Sequence, residues 1–189
     1  ENPSTPEEEL CGNNLDDDCD GAIDDGCTQL PFIEYNLLQG YNFITIPFVL
    51  NDNSISSVFN PIINEINRIY SYNINWVVFR TSPIIPSNLN TIDSLKGYIV
   101  IVNNPTIITI QGNIDINAQR SLQTGWNLIG TNSLNNIPIN TALQSLDYGS
   151  VWKYDNNIND YIQLNPNIDI FEPGKAYWIY LNNPGIFNP

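Results

Sequence analysis

The chain has 189 residues, of which 42% are hydrophobic, and a formal net charge of −14. This length supports one substantial hydrophobic core or two small ones. With six basic residues against twenty acidic ones, the protein is predicted to repel nucleic acid and anionic membranes, because phosphate contacts need Lys and Arg. The sequence has no apolar run near the roughly 20 residues that a membrane-spanning helix needs, so we predict no membrane insertion.

The acidic residues are concentrated at the start of the chain. Ten of the twenty lie between Glu1 and Asp25, where there is no Lys or Arg, which leaves ten acids against six bases in the rest. Such a local excess indicates a cation site. Position 1 is Glu and all three cysteines lie in this segment, which together predict a processed chain in an oxidising, extracellular compartment.

The segment from Cys11 to Cys27 has the spacing of a calcium loop. Acidic residues alternate along it, Gly21 supplies the sharp turn, and the predicted ligands are Asp16, Asp18, Asp20, the Ala22 carbonyl and Asp24. Cys27 stands where an EF-hand places its bidentate Glu, so Asp25 or Asn14 would supply the missing oxygen. Oxygen ligands favour calcium over zinc or copper, and calcium is the predicted cofactor.

The three cysteines frame this loop. Cys19 is at loop position four, which should point away from the ion. A Cys11–Cys19 disulfide, a Cys11–Cys27 disulfide and a Cys19–Cys27 disulfide all remain open from the spacing. Each pairing leaves one thiol over, which is either free or capped, or else bridges to another subunit.

From about residue 30 the sequence changes to short runs of Ile, Val, Phe and Tyr broken by Asn, Pro and Gly, which is typical of strands. Three blocks then occur twice in the same order: 40–44 with 125–129, 69–73 with 151–155, and 96–105 with 175–184. We infer two copies of one module. The predicted domains are the acidic calcium loop at 1–28, a first β-rich module at 29–118 and a second at 119–189.

The fold class predicted from these patterns is mostly β, with two related antiparallel β-rich modules that each contain one short helix. A strand over 30–38 comes first. The first module follows, with strands at 41–48, 70–73, 76–80, from Tyr98 onward and at 106–111, and a helix over 54–69. The second module has strands at 126–130, 151–155, 161–164 and from Tyr177 onward, and a helix over 141–146.

The second module ends at 185–187 and has little room for a counterpart of the strand over 106–111. An unpaired sheet edge invites another strand. The strand over 30–38 therefore has two interpretations. It pairs within its own chain, or it completes a neighbouring subunit by strand addition.

We predict no enzymatic activity. The chain has no His, the usual base for a Ser or Cys nucleophile, and the ten acids of the body show no preferred pairing. The aromatic residues admit ligand binding instead, since their rings can stack on sugars. Trp126 matches Tyr41 and Tyr177 matches Tyr98 in the repeat, and such repeated positions are interpreted as core. Trp152 and Trp178 alternate with other aromatics and are the better candidates for an exposed ligand face.

Two resemblances extend this interpretation. Residues 11–27, CGNNLDDDCDGAIDDGC, resemble the Asp-rich metal-binding motif of the MopE type, which is found in secreted and surface proteins of bacteria and archaea. That resemblance implies calcium-type coordination by Asp16, Asp18, Asp20 and Asp24, and a Cys11–Cys19 disulfide with Cys27 left over. The body is similar to the G-W-N-L-I … G-Y-W-I modules of large prokaryotic extracellular proteins, through 125–129 and 176–179. This second resemblance implies a surface, adhesion or structural context.

These observations predict a secreted structural subunit of an extracellular filament or cell-surface layer, rigidified by calcium and self-assembling into a homopolymer. The alternative is a carbohydrate-binding or adhesive module of a surface protein, with a surface glycan as its partner. Both interpretations place the protein outside the cell or on its surface.

Overall fold

The fold is mostly β, as the short apolar runs predict. The computed structural model describes residues 30–82 and 84–189. All strand pairs in this part of the chain are antiparallel. The predicted calcium loop lies outside the described residues, together with its proposed ligands and the three cysteines: Asp16, Asp18, Asp20, Ala22, Asp24, Cys11, Cys19 and Cys27.

The first half of the described chain contains six strands. They are β1 (Phe32–Leu37), β2 (Gly40–Thr45), β3 (Ile66–Asn73), β4 (Asn75–Arg80), β5 (Gly97–Val102) and β6 (Thr106–Gln111). A short helix, α1 (Ile55–Val58), and a 3-10 turn (Asn60–Ile62) lie between β2 and β3. Four strands form a sheet in the order β2-β5-β3-β4, and β1 pairs with β6.

The second half follows the same plan with shorter strands. They are β7 (Arg120–Leu122), β8 (Gly125–Ile129), β9 (Ile137–Pro138), β10 (Tyr148–Asp155), β11 (Asp160–Leu164), β12 (Ile170–Phe171), β13 (Tyr177–Leu181) and β14 (Gly185–Phe187), with α2 (Ile139–Ala142) after β9. The main sheet has the order β8-β13-β10-β11, while β7 pairs with β14 and β9 with β12.

The sequence repeat therefore corresponds to a repeat of topology. Strands β2, β5, β3 and β4 match β8, β13, β10 and β11, and the β1–β6 pair matches β7–β14. A single bridge between Ser54 and Thr91 matches the β9–β12 pair. Because Phe32–Pro189 form one compact unit, the boundary between the predicted modules at 118 and 119 stays a prediction.

Two predictions about the elements are corrected. The helix predicted over 54–69 ends after one turn, because β3 begins at Ile66 and pairs with β5. The apolar spacing that suggested a helix comes from residues that face one core from consecutive short elements, so strand pairing overrides the local pattern. The second helix spans Ile139–Ala142, earlier than the predicted 141–146.

The second module also has a last strand, which the sequence pattern did not predict. Gly185–Phe187 form β14, which pairs with β7 through three residues on each side. In the first module, β1 pairs with β6 over six residues, from Phe32 opposite Gln111 to Leu37 opposite Thr106. The strand predicted over 30–38 thus pairs within its own chain.

Each main sheet buries one face in its own core. The first core contains Ile44, Ile69 and Val100, and the second contains Ile129, Val151 and Ile179. Tyr98 and Tyr177 are fully buried, so the prediction that these matched tyrosines are core residues is confirmed. Their hydroxyl oxygens accept equivalent hydrogen bonds, at 2.7 Å from the Asp93 backbone N–H and at 2.8 Å from that of Glu172.

The repeated Gly-aromatic-Asn sequence builds the turn that enters each main sheet. Gly40 and Gly125 both have a φ of 92°, a left-handed conformation that glycine adopts without strain. Two residues later, the buried Asn42 side chain donates to the Leu38 carbonyl at 2.7 Å and accepts from the Leu38 N–H at 2.9 Å. Asn127 makes the equivalent pair of bonds with Gln123.

The two halves meet through reciprocal backbone contacts. Thr45 N–H donates to the Gly174 carbonyl at 3.0 Å, and Gly130 N–H donates to the Leu95 carbonyl at 3.3 Å, which is the equivalent contact in the opposite direction. Phe43, Ile99, Leu128 and Ala176 form a small hydrophobic cluster at this junction. The sheet faces that point away from the two main cores are therefore brought together, and this arrangement positions the candidate site.

Candidate ligand-binding grooves

The outer face of each main sheet, opposite its core, is aromatic. Successive residues of a strand point to opposite faces. On β10 and β13, Val151 and Ile179 are buried in the second core, so Trp152 and Trp178, which are paired across the two strands, lie on the outer face. On the first sheet, Ile69 faces the core and Tyr70 the outer face.

A groove of about 470 Å³ runs along the outer face of the second sheet. We call it the tryptophan groove, because all four tryptophans of the chain line it. Its lining is Tyr72, Trp76, Trp126, Trp152, Tyr161 and Trp178. The rings pack edge to face, with centroid distances of 5.8 Å between Trp76 and Trp178 and 6.3 Å between Trp126 and Trp178. Aromatic pairs favour this geometry, which holds the side walls in a fixed arrangement.

A second groove, of about 800 Å³, runs along the outer face of the first sheet. We call it the arginine groove. Its lining is Tyr41, Phe43, Asn67, Arg68, Tyr70, Trp76, Ile99, Ile101, Tyr154 and Tyr161. Arg68 is exposed, and its Nη1 donates to the Tyr70 hydroxyl at 3.2 Å. Phe43 stacks on Tyr154 from the other sheet with ring centroids 4.8 Å apart.

The two grooves are counterparts built on the same plan. Each has a floor from the outer face of one sheet and aromatic residues contributed by the other sheet. By strand register, Tyr41 corresponds to Trp126 and Tyr70 to Trp152. Trp76 and Tyr161 also correspond to each other, and both line both grooves, so they separate the two sites.

The outer faces of the two sheets differ in charge at one pair of equivalent positions. Strand β3 has a bulge between Ile66 and Arg68, and β10 has one between Tyr148 and Ser150. Bulges redirect the side chains beside them. Arg68 beside Tyr70 thus corresponds to Ser150 beside Trp152, where Trp152 Nε1 donates to Ser150 Oγ at 3.1 Å. The same position is cationic on the first sheet and neutral on the second.

The sequence located part of this site. Trp152 and Trp178, predicted to form a ligand face, both line the tryptophan groove and are half-buried. The interpretation of Trp126 and its match Tyr41 as core is wrong, since they are 44% and 52% exposed. Their neighbours Asn42 and Asn127 take the inward positions to close the turns, which directs the preceding aromatic residue outward.

Trp76 and Tyr161 were missed as site residues. Both lie at the start of the second strand of a hairpin, directly opposite an aromatic residue: Trp76 faces Tyr72, and Tyr161 faces Tyr154. Such aromatic pairs across a hairpin are a signal that the sequence does contain. Burial raises the pKa of Tyr161 and of Tyr154 above that of an ordinary tyrosine, and the Tyr154 hydroxyl donates to Asn159 Oδ1.

Within residues 30–82 and 84–189, no group of three or more His, Cys, Asp or Glu side chains is placed to hold a metal ion. Among the helices of this same part of the chain, none has the length and apolar character to cross a bilayer. Searches for similar proteins found no match among protein-family models, curated proteins or solved structures. The proposed function therefore rests on the two grooves.

Proposed function

We propose that the protein is a carbohydrate-binding or adhesive module of the cell exterior, which holds a surface glycan in its aromatic grooves. The observation that carries the proposal is the meeting of all four tryptophans of the chain in one groove. Trp76 and Trp126 in that groove are 51% and 44% exposed. Large aromatic side chains contribute most to binding free energy when a partner covers them. An exposed cluster of them therefore indicates a ligand that covers the cluster.

The chemistry of the tryptophan groove fits a sugar. A pyranose ring presents a flat face of C–H bonds, and aromatic rings present flat, electron-rich faces on which such C–H groups pack. The Tyr161 hydroxyl adds a polar group beside these faces. Both groove volumes fall within the range of about 300–1,000 Å³ that is typical of small-ligand sites.

The proposal that the chain is instead a structural subunit of a filament or surface layer has lost one of its supports. In the filament proposal, the strand over 30–38 completes an unpaired sheet edge of a neighbouring subunit. In the structure, β1 pairs with β6 and β14 pairs with β7 within one chain. Calcium binding by residues 11–27, the extracellular location and self-assembly stay predictions. Electron microscopy of the full chain with and without a chelator tests calcium binding and self-assembly, since the filament proposal requires ordered polymers that fray on chelation.

The proposed function is tested by a glycan array followed by isothermal titration with the best neutral oligosaccharide. The variant Trp126→Ala should weaken binding about tenfold or more, as expected for loss of one stacking ring. Phe32→Ala is the matched control, because Phe32 is 51% exposed, against 44% for Trp126, and lines neither groove. A chain that binds no glycan on the array, or two variants with equal effects, contradicts the proposed function.

A further inference from the structure

We propose that the arginine groove takes a sugar that carries a carboxylate, a hexuronate, whereas the tryptophan groove takes uncharged sugars. This inference rests on the proposed function and assigns a ligand class to one of its two sites. The juxtaposition that carries it is an exposed guanidinium, Arg68, beside an aromatic floor, with a second guanidinium, Arg80, directly across the hairpin.

A bound anion would stabilise the facing residues Arg68 and Arg80. These two residues are opposite each other in the β3–β4 register, and like charges in that position repel. In the part of the chain that the structure describes, neither guanidinium has a carboxylate within 4.0 Å. Only six residues of the whole chain are basic, and two of them are placed against each other here.

The hydrogen bonds of the pair leave donors free for a ligand. Arg80 Nη1 donates to the Pro86 carbonyl at 2.9 Å, which fixes that side chain. Arg68 Nη1 donates to the Tyr70 hydroxyl at 3.2 Å, which orients Arg68 over the groove and leaves its other N–H groups uncommitted among the described residues. A guanidinium offers N–H groups in a planar fork, which matches the two oxygens of a carboxylate.

A hexuronate matches both the aromatic floor and the cation of the arginine groove. Its pyranose ring offers a C–H face for Tyr41 and Tyr70, and its carboxylate is attached to that same ring, within reach of a cation beside the rings. The second sheet has Ser150 at the position of Arg68, beside Trp152, so the tryptophan groove offers the stacking surface without the charge. The two sites of one chain would then select different residues of a mixed glycan.

The test compares an acidic probe with its own uncharged form. Isothermal titration of the full chain in the presence of a chelator, so that no divalent ion bridges the carboxylates, uses oligogalacturonate and oligoglucuronate and the methyl ester of each. We expect about tenfold tighter binding of the acids at low salt, lost as salt is raised. Because the chain carries −14, its overall charge favours the esters, so a preference for the acids requires a local cation.

Two variants test whether Arg68 causes the preference for the acids. Arg68→Gln should abolish the preference for the acids. Lys175→Gln removes the same charge from an exposed residue that lines neither groove, and it should keep the preference. Thermal unfolding of both variants checks that the fold is intact.

The possible outcomes separate this inference from the proposed function. If the chain binds neutral glycans but prefers neither acid over its ester, or if both variants lose the preference equally, the hexuronate assignment is wrong and the proposed function stands. Tighter binding of a sulfated oligosaccharide than of both uronates also overturns the assignment. Failure to bind acids, esters and neutral glycans alike overturns both proposals.

Discussion

The two halves of the body share one backbone plan and differ in what they place on it. Both use a left-handed glycine, a buried asparagine and a buried tyrosine at equivalent positions. These residues set the turn and the sheet, so they are the same in both halves. The outer faces carry Tyr41, Tyr70 and Arg68 in one half and Trp126, Trp152 and Ser150 in the other. The repeated residues therefore build the scaffold, and the residues that differ give the two outer faces different chemistry.

The junction between the halves shows a second kind of difference, which is steric. Equivalent positions meet there, and both cannot carry side chains. A Cβ atom built on Gly130 would lie 2.0 Å from the Thr45 Cβ, while Thr45 donates its hydroxyl to the Lys96 carbonyl at 2.8 Å. Thr45 of the first half therefore contributes the side chain at this contact, and Gly130 of the second half leaves room for it.

The substitution Gly130→Ala should have the largest effect on stability. The added methyl group overlaps Thr45, and overpacking without room to relax costs about 3 kcal/mol. The free energy of unfolding is measured by urea titration of the variant and of the parent chain. The double variant Gly130→Ala with Thr45→Gly should recover part of the loss, and a single variant as stable as the parent would contradict the close contact.

The substitution Ser150→Arg sharpens the comparison of the grooves. It places a cation beside Trp152 of the tryptophan groove, at the position that Arg68 has on the first sheet. In an Arg68→Gln background, Ser150→Arg should restore about a tenfold preference for an acidic oligosaccharide over its methyl ester, as one charge-assisted hydrogen bond would give. Equal titration of the acid and the ester by this double variant would show that the position does not set charge selectivity.

A smaller effect, a loss of stability in alkali, is expected from the two matched buried tyrosines, Tyr98 and Tyr177. Burial raises the pKa of Tyr98 and of Tyr177 above the ordinary value of 10.0. The folded state then holds these protons more tightly than the unfolded state, so stability is constant below about pH 10 and falls above it. The loss is about 1 kcal/mol for each tyrosine one pH unit above that value.

The variants Tyr98→Phe and Tyr177→Phe should each be less stable at neutral pH, because a backbone N–H loses its acceptor, and should each show a shallower alkaline decline. Equilibrium unfolding as a function of pH measures both quantities. Since the two halves are equivalent at these positions, the two variants should behave alike. An unchanged alkaline slope in both would mean that the decline comes from other groups.

The scaffold could be predicted from the sequence because its signals are local and occur twice. The block at 40–44 and its copy at 125–129 indicated the repeat, and the alternating apolar runs indicated the strands. The pairing of β14 with β7 could not be predicted, since three-residue strands carry no recognisable period. The long helix predicted over 54–69 failed because the contacts that make β3 a strand come from β5, far along the chain.

The site could be predicted only in part, and the reason is its position at a junction. Trp152 and Trp178 were identified from their alternation with other aromatic residues along strands, whereas Trp126 was assigned to the core because it matches Tyr41 in the repeat. Leu128 on the outer face is fully buried against the other half of the body, so burial there depends on a contact that no local pattern records. The reciprocal junction between the halves is what turns two aromatic faces into grooves.

The proposal that the tryptophan groove binds a sugar has a direct test in nuclear magnetic resonance of the indole N–H groups. The chain has four tryptophans, all of which line this groove, and Trp76 alone among them also lines the arginine groove, so the other three indole signals report on the tryptophan groove. Titration with a neutral oligosaccharide that binds the chain should shift indole signals of this set in proportion to occupancy. Saturable binding that leaves all four signals unmoved would contradict the account.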